Sequence, residues 1–384
     1  MKELQDIIAT WKQLRQEKQT AVLATLIKVE GSTYRRPGAR MLITKDGQHI
    51  GSISGGCLES DVVERSREVF ETGIPTLVKY DTTSEDDLIW GLGLGCQGVA
   101  YILIERLNTE ELNALDAIAC CLAQRQISAV ATVFRVEGVA KVRTGDRSIV
   151  FPDGKINSQI CDRRLSSKIQ QDLRAAIAQR KSTNEAYISP EGIVEVFLEV
   201  IPPPLSLVIF GAGFDVLPLV NFAKQLGWYV TVIDPKARLQ TKERFRECDR
   251  VILGISDEIK TQIEFDEHTV AVIMSHNYLY DLEFLQILIP ISLRYLGILG
   301  PRKRTNRLLQ DLQTEVYIFQ PEQELYRYSP LGLDIGADNP EEIALAIIAE
   351  ICSVTNHRQG GFLKNRPTPI HSDPNIKQTR MINV

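Results

Sequence analysis

The chain has 384 residues, 44% hydrophobic and 24% charged, an ordinary soluble composition with room for two or three domains and sizeable cores. A formal net charge of −5 argues against general nucleic-acid or anionic-membrane binding, because both partners reward a basic surface. Seven widely spaced cysteines without an export signal argue against a disulfide framework, and the most apolar stretch, Phe284 to Gly300, is interrupted by Pro290 and Arg294 and makes a poor membrane span, so a cytoplasmic protein is expected.

Met1 to Glu17 mixes apolar residues with Lys2, Glu3, Asp6, Lys12 and Arg15 at helical spacing. Ala21 to Val29 then reads as a strand and Arg40 to Thr44 as another, with Lys45-Asp46-Gly47 turning the chain. Leu58 to Glu71 has the pattern of an amphipathic helix, and Thr76 to Tyr80 and Val99 to Arg106 are further strands, giving an α+β unit.

The same order returns. Sliding the sequence by 107 positions puts Val29-Glu30-Gly31 on Val136-Glu137-Gly138, Arg36, Gly38 and Arg40 on Arg143, Gly145 and Arg147, and Asp46-Gly47 on Asp153-Gly154. Strands are expected again at Ala129 to Val136, Ser148 to Phe151 and Ile193 to Ile201, with a helix over Leu165 to Lys181. At the final strand the offset drops to roughly 95, so the first copy carries about a dozen extra residues around Asp87 to Gly98, rich in glycine and containing Cys96.

Only the first copy has Gly55-Gly56-Cys57 where strand gives way to helix; the second has Asp162-Arg163-Arg164. At a helix start, exposed amides and the helix dipole favour a thiolate, which serves as nucleophile, sulfur carrier or soft metal ligand; a small buried core residue is the plain alternative. In Gly91-Leu92-Gly93-Leu94-Gly95-Cys96-Gln97-Gly98 the glycines permit close approach of amides to a ligand, or simply make a flexible hairpin tip. Cys57 and Cys96 lack paired zinc-site spacing and suit a transiently held metal or cofactor better than a structural ion. Arg36 and Arg40 could grip a phosphate or carboxylate, yet both recur in the second copy, which fits a scaffold ion pair equally well. Cys120 and Cys121 lie in an apolar helical stretch and are expected in the core; Cys161, Cys248 and Cys352 have no motif around them.

Pro202-Pro203-Pro204 is a stiff break. Beyond it, Leu207-Val208-Ile209-Phe210 has the continuous apolar character of a buried parallel strand, followed by Gly211-Ala212-Gly213 and a helical pattern to Leu226. Strands at Tyr229 to Asp234, Arg250 to Leu253, Val270 to Ser275 and Tyr295 to Leu299 alternate with helical stretches, which implies a doubly wound parallel sheet. Gly211 and Gly213 form half of the dinucleotide fingerprint, and Asp234 ends the next strand where a ribose-binding acid belongs. Val216 replaces the third glycine, and Asp215 puts a negative charge where a pyrophosphate would sit. His276 and Arg302 each follow a strand at the sheet edge where such folds bind ligands. Asn339-Pro340-Glu341-Glu342 starts a helix to about Val354, and the tail from His357 has no core pattern.

Several of these pieces together resemble the XdhC/CoxI family of molybdenum-hydroxylase accessory proteins. The N-terminal ones are Arg36-Pro37-Gly38-Ala39, Gly51-Ser52-Ile53-Ser54-Gly55-Gly56-Cys57-Leu58-Glu59 and Gly95-Cys96-Gln97-Gly98. The C-terminal ones are Phe210-Gly211-Ala212-Gly213, Ser275-His276 with Asp281, and Leu331-Gly332-Leu333-Asp334-Ile335-Gly336. The expected fold class is α/β: a duplicated N-terminal α+β domain, residues 1–108 and a degenerate copy at 109–201, joined to a Rossmann-like doubly wound sheet at 205–356, with a polar tail at 357–384. The resemblance implies a molybdenum-cofactor chaperone that protects the cofactor while a cysteine desulfurase supplies its terminal sulfur, hands it to an apo molybdenum hydroxylase, and forms a homodimer. It carries ligand roles to Cys57 and Cys96, with Gly55, Gly56, Gly95 and Gln97 shaping the pocket. Phe214 stands where the family usually has His, and Gln97 where it usually has Gly. An NAD(P)-dependent oxidoreductase with an N-terminal substrate domain is the competing reading, and a ligand-free assembly scaffold a third.

Overall fold

The computed structural model describes residues 1–81, 98–110, 113–254, 259–315, 327–368, 370 and 380–383. They form two compact units, residues 3–203 with the tail from 371, and residues 204–370 with Met1 and Lys2.

The first unit repeats one topology twice. After α1 (Lys2–Gln16) come β1 (Ala21–Gly31), β2 (Arg40–Ile43), β3 (His49–Gly51), α2 (Glu59–Thr72), β4 (Thr76–Asp81) and β5 (Gly98–Leu107). After α3 (Ala114–Gln124) come β6 (Ser128–Gly138), β7 (Arg147–Val150), β8 (Ile156–Ser158), α4 (Arg163–Gln179), β9 (Thr183–Ser189) and β10 (Gly192–Ile201). The repeated strands are ordered β3-β2-β1-β5-β4 and β8-β7-β6-β10-β9, each neighbouring pair antiparallel, so the 107-residue offset is a structural repeat.

Alternation along β1 explains how each sheet is covered. Val22, Ala24 and Leu26 pack with Val62 and Val69 of α2, while Leu23 joins Trp11 of α1, Ile118 of α3 and Val130 of the second copy. The register slips between Leu26 and Lys28, and in β6 between Val133 and Arg135. This bulge inserts one residue and reverses the parity of the strand, which is why Leu26 and Val29, three apart, share a face. The inserted residues are Ile27 and Phe134, equivalent in the repeat, and they meet between the copies in a small core with Leu103 and Phe197. Each copy thus lays one sheet face on its own helix and the other on its twin.

A reciprocal exchange of charge ties the copies together. Arg40, 4% exposed, pairs with Glu199 of β10, its Nη1 donating to Oε1 at 2.8 Å. Arg147, 8% exposed, pairs with Glu105 of β5. Each guanidinium also donates to the carbonyl two residues back, Gly38 at 2.8 Å and Gly145 at 3.1 Å. Arg40 therefore belongs to the frame, and the anion-gripping role expected for it is corrected: its charge is already matched by a buried carboxylate.

The second unit contains β11 (Ser206–Phe210), α5 (Val216–Gln225), β12 (Tyr229–Asp234), α6 (Gln240–Arg244), β13 (Arg250–Leu253), α7 (Ile259–Gln262) and β14 (Thr269–Ile273). It continues with α8 (Tyr278–Leu288), β15 (Leu296–Ile298), α9 (Arg302–Glu315), β16 (Arg327–Tyr328) and α10 (Pro340–Thr355). All its strands are parallel, in the order β13-β12-β11-β14-β15-β16. Leu207 and Ile209 face α5 and α10, and Val208 and Phe210 face α8, so both faces are buried, as the uninterrupted apolar strand requires. The tail, which shows no core pattern in the sequence, carries a strand, β17 (Arg380–Asn383), parallel to the edge strand β9. Among the described residues no helix is long and apolar enough to cross a membrane.

Candidate functional site

Cys57 lies on the turn between β3 and α2 and is exposed, which removes the reading of it as a small core residue. The turn is organised by Glu59, the first residue of α2, only 7% exposed. Its Oε1 accepts the N–H of Ser54 (2.8 Å) and of Ile53 (3.2 Å) and the hydroxyl of Ser52 (3.1 Å). Its Oε2 accepts the Ser54 hydroxyl (2.5 Å) and the Leu58 N–H (3.2 Å). The Ser54 oxygen in turn accepts the N–H groups of Gly56 (3.2 Å), Cys57 (3.1 Å) and Leu58 (3.2 Å). Burial pushes the Glu59 carboxyl up, but the Ser54 hydroxyl and amide and the Ser52 hydroxyl outweigh it and hold the group at about 2.

This network changes the sequence reading in one respect. The amides expected to face the Cys57 sulfur or a ligand are engaged by Ser54, so the loop offers a fixed cysteine rather than a row of open donors. Gly56 has φ +108, and no described residue lies within 4 Å of a notional Cβ, so among the described residues glycine is needed there for the backbone alone. Above Gly55 lies the Tyr34 ring, 3.5 Å from where a Cβ would be. Glu59, Ser54 and Tyr34 carry no role in the sequence reading; the available signal was Ser-Gly-Gly-Cys-Leu-Glu, a serine and an acid bracketing the first turn of a helix.

The second copy solves the same turn differently. Asp162 caps α4, accepting from the N–H of Arg164 (2.9 Å) and Leu165 (3.0 Å), and Ser166, at the position of Glu59, meets the Ser158 hydroxyl at 3.1 Å. Arg164, at the position of Cys57, is exposed.

Gly95, Cys96 and Gln97 lie outside the described residues. The residues flanking that segment are placed: Asp81 pairs with Val99, and Gly98 with Gly31 at the far end of β1. Since β3 runs in the direction of β1, the Cys57 turn heads for that same end, where Tyr34 follows Gly31 and touches it. Arg36 is exposed on the turn closed by the Ala39 N–H donating to its carbonyl at 3.1 Å.

In the second unit, Gly211 approaches β14 so closely that a Cβ would collide with the Met274 carbonyl, and Gly213 is covered by the Asp215 side chain. Asp215 and His276 are joined, Oδ2 to Nε2 at 2.7 Å. One follows β11 and the other β14, so the pair spans the point where the strand order reverses, the place where such sheets bind ligands. Asp234 is fully buried and does not present the expected ribose acceptor. Its Oδ2 accepts from Thr241 Oγ1 (2.5 Å) and Arg238 Nε (3.0 Å), and Oδ1 from the Lys236 N–H (3.1 Å). Although burial opposes it, Arg238 and Thr241 hold that carboxyl below its usual value. Arg238 and Arg244 both donate to the Ala212 carbonyl, and Arg244 lies 4.3 Å over the Phe214 ring. Arg302 is exposed, whereas Arg304, two residues on, reaches the buried Asp281 at 2.6 Å, and Asp281 also accepts the Ser275 hydroxyl.

A twofold α+β repeat with a Gly-Gly-Cys turn in its first copy alone, joined to a parallel sheet of order 3-2-1-4-5-6, defines the class: a duplicated cysteine-loop module fused to a Rossmann domain. The chain belongs to the XdhC and CoxI family. The model of that family matches residues 14–81 and 121–187, one stretch on each copy, and that of the XdhC Rossmann domain matches residues 207–351. Over 340 residues the chain is 33% identical to a probable xanthine dehydrogenase subunit of Bacillus subtilis, covering 88% of this chain and 94% of that one. It is 22% identical to the molybdenum cofactor insertion chaperone PaoD of Escherichia coli over 339 residues, 88% of this chain and 85% of the relative. A crystal structure described as a xanthine dehydrogenase from Bacillus halodurans superimposes with a TM-score of 0.72 at 30% identity, covering 94% of this chain and 98% of that one.

Proposed function

We propose that the chain binds molybdenum cofactor at the Cys57 turn, keeps it while a cysteine desulfurase installs its terminal sulfur, and delivers it to an apo molybdenum hydroxylase of the xanthine dehydrogenase type. It acts by binding and handover, not turnover. One observation carries this reading: within a repeated frame, only the first copy places an exposed thiol on a turn fixed by a buried carboxylate, while the exposed Cys161 of the second copy falls on the position of Ser54. A soft sulfur ligand on a pre-set loop suits a molybdenum centre that must be held and then released. The names of the relatives, one a cofactor insertion chaperone and the other a component of xanthine dehydrogenase, fit that role. Cys96 is proposed as the second sulfur; Asp81 and Gly98, which flank its segment, stand at the end of the sheet toward which the Cys57 turn heads. The oxidoreductase alternative loses its ribose acid, since Asp234 is occupied by Arg238 and Thr241.

Co-purification from a cofactor-producing host, with metal and pterin analysis, tests the proposal. The expected result is cofactor on the wild type, at least tenfold less on Cys57→Ala, and an intermediate loss on Cys96→Ala. Unchanged retention and handover by Cys57→Ala would overturn it.

A further inference from the structure

The second copy contains a cavity of about 380 Å³ at the position that mirrors the Arg36 to Arg40 turn of the first. One wall is the turn Arg143 to Arg147 with Gln159; the other comes from the end of α2 and of β5, at Gly73, Pro75 and Arg106, and from Asn113 at the start of α3. The volume suits a ligand the size of a sugar phosphate or mononucleotide.

Its donors are placed and underused. The Asn113 oxygen caps α3 by accepting the Leu115 N–H at 2.9 Å, which fixes the amide and leaves Nδ2 on the opposite branch. Asn113 is only 5% exposed, and that nitrogen has no hydrogen-bond partner among the described residues. A buried amide donor without an acceptor is destabilising; Nδ2 has essentially no accessible surface, so a ligand oxygen relieves it once the side chain shifts toward the cavity. Arg106 is pinned across Gly73 by the Phe70 carbonyl at 2.9 Å, so its charge is pre-positioned at the rim. Arg143 also lines the cavity, and its guanidinium makes no hydrogen bond among the described residues. The two acids present are committed, Glu105 to Arg147 and Asp146 to the Arg143 N–H at 2.8 Å. Three guanidinium groups against two carboxylates leave the lining cationic.

We infer that this cavity is a binding site for a small phosphorylated molecule, held by Arg143 and Arg106 with Asn113 Nδ2 as the interior donor. A phosphate offers several acceptor oxygens to guanidinium and amide donors that converge from different sides, whereas a single carboxylate offers two. The second copy then has a ligand chemistry of its own, without a cysteine, in addition to supporting the first.

Titration calorimetry of the full chain with inorganic pyrophosphate tests the site. Saturable binding is expected, weakened at least tenfold in Arg143→Glu and in Asn113→Asp, and unchanged in Cys57→Ala and Arg302→Ala. Asn113→Asp keeps a good helix cap while replacing the donor by an acceptor, so thermal unfolding of that variant should match the wild type and separate lost binding from lost fold. Absence of saturable binding at millimolar pyrophosphate, binding that survives in both Arg143→Glu and Asn113→Asp, or tighter binding of citrate than of pyrophosphate would overturn the inference.

Discussion

Where the two copies of the repeat face each other they use the same residue types: Arg40 and Arg147, Glu199 and Glu105, and the apolar bulge residues Ile27 and Phe134. At the turn before the helix no aligned position agrees, Ser54-Gly55-Gly56-Cys57 in one and Cys161-Asp162-Arg163-Arg164 in the other, where the cysteine falls on the position of Ser54. The contrast separates two kinds of constraint. A guanidinium buried against a carboxylate from the twin cannot be lost from one side alone, because the remaining charge would be stranded. The helix start is free to change provided that something satisfies its amides, and Glu59 with Ser54 does so in one copy, Asp162 in the other.

The largest effect is expected at the shared charges. Arg40→Ala and Arg147→Ala should each cost about 3–5 kcal/mol, since each leaves a buried glutamate uncompensated. Chemical denaturation of the two variants checks this, and near-equal losses are the expected outcome. If Arg40→Ala proved mild for stability yet stripped the protein of cofactor, Arg40 would be a ligand after all and the symmetry of the interface would fail.

A smaller effect is expected where the copies diverge. Glu59→Gln removes a buried carboxylate that accepts from four neighbouring residues and should cost about 2–3 kcal/mol, against less than about 1 kcal/mol for Ser166→Ala in the second copy. The difference is also pH-dependent. Because the folded-state carboxyl is depressed from 4.5 to about 2, its contribution is fully present above pH 4.5 and is lost as the pH falls toward 2. At most it amounts to about 3 kcal/mol, from the depression itself. Stability curves of wild type and Glu59→Gln should therefore converge on acidification through that window; parallel curves would show that the carboxylate does not organise the turn.

The architecture was legible in the sequence because it is written twice. Two apolar periodicities offset by 107 residues point to one scaffold, and four apolar residues before Gly211-Ala212-Gly213 point to a buried parallel strand. Less legible were features that depend on partners distant in sequence. Arg40 reads as a candidate anion grip until Glu199, 159 residues away, comes to meet it. Asp234 has the right spacing for a ribose acid, yet the local partners Arg238 and Thr241 fill it from inside, a competition that spacing alone does not register. Glu59 was hidden for the opposite reason: an acid in a helix's first turn is so common that nothing marks this one as the organiser of the Cys57 loop. The β17 strand escaped because its pairing is to the edge of β9, nearly 200 residues earlier, and its own short run has no alternation to display.

The smallest effect on stability should accompany the largest difference in function. Cys57 and Arg164 occupy the same place in the repeat, at the start of the helix, and both are exposed. Neither side chain supports the core, so Cys57→Ser and Arg164→Ala should each leave unfolding within about 0.5 kcal/mol of the wild type. Only the first should lose cofactor, because serine preserves the size and the turn but replaces a soft, polarisable sulfur by a hard hydroxyl oxygen. Measuring unfolding and bound molybdenum in the same preparations makes the comparison internal. Equal retention by both variants would show that the sulfur is not what distinguishes the copies, and would move attention to Tyr34, the other side chain that the first copy places over the turn.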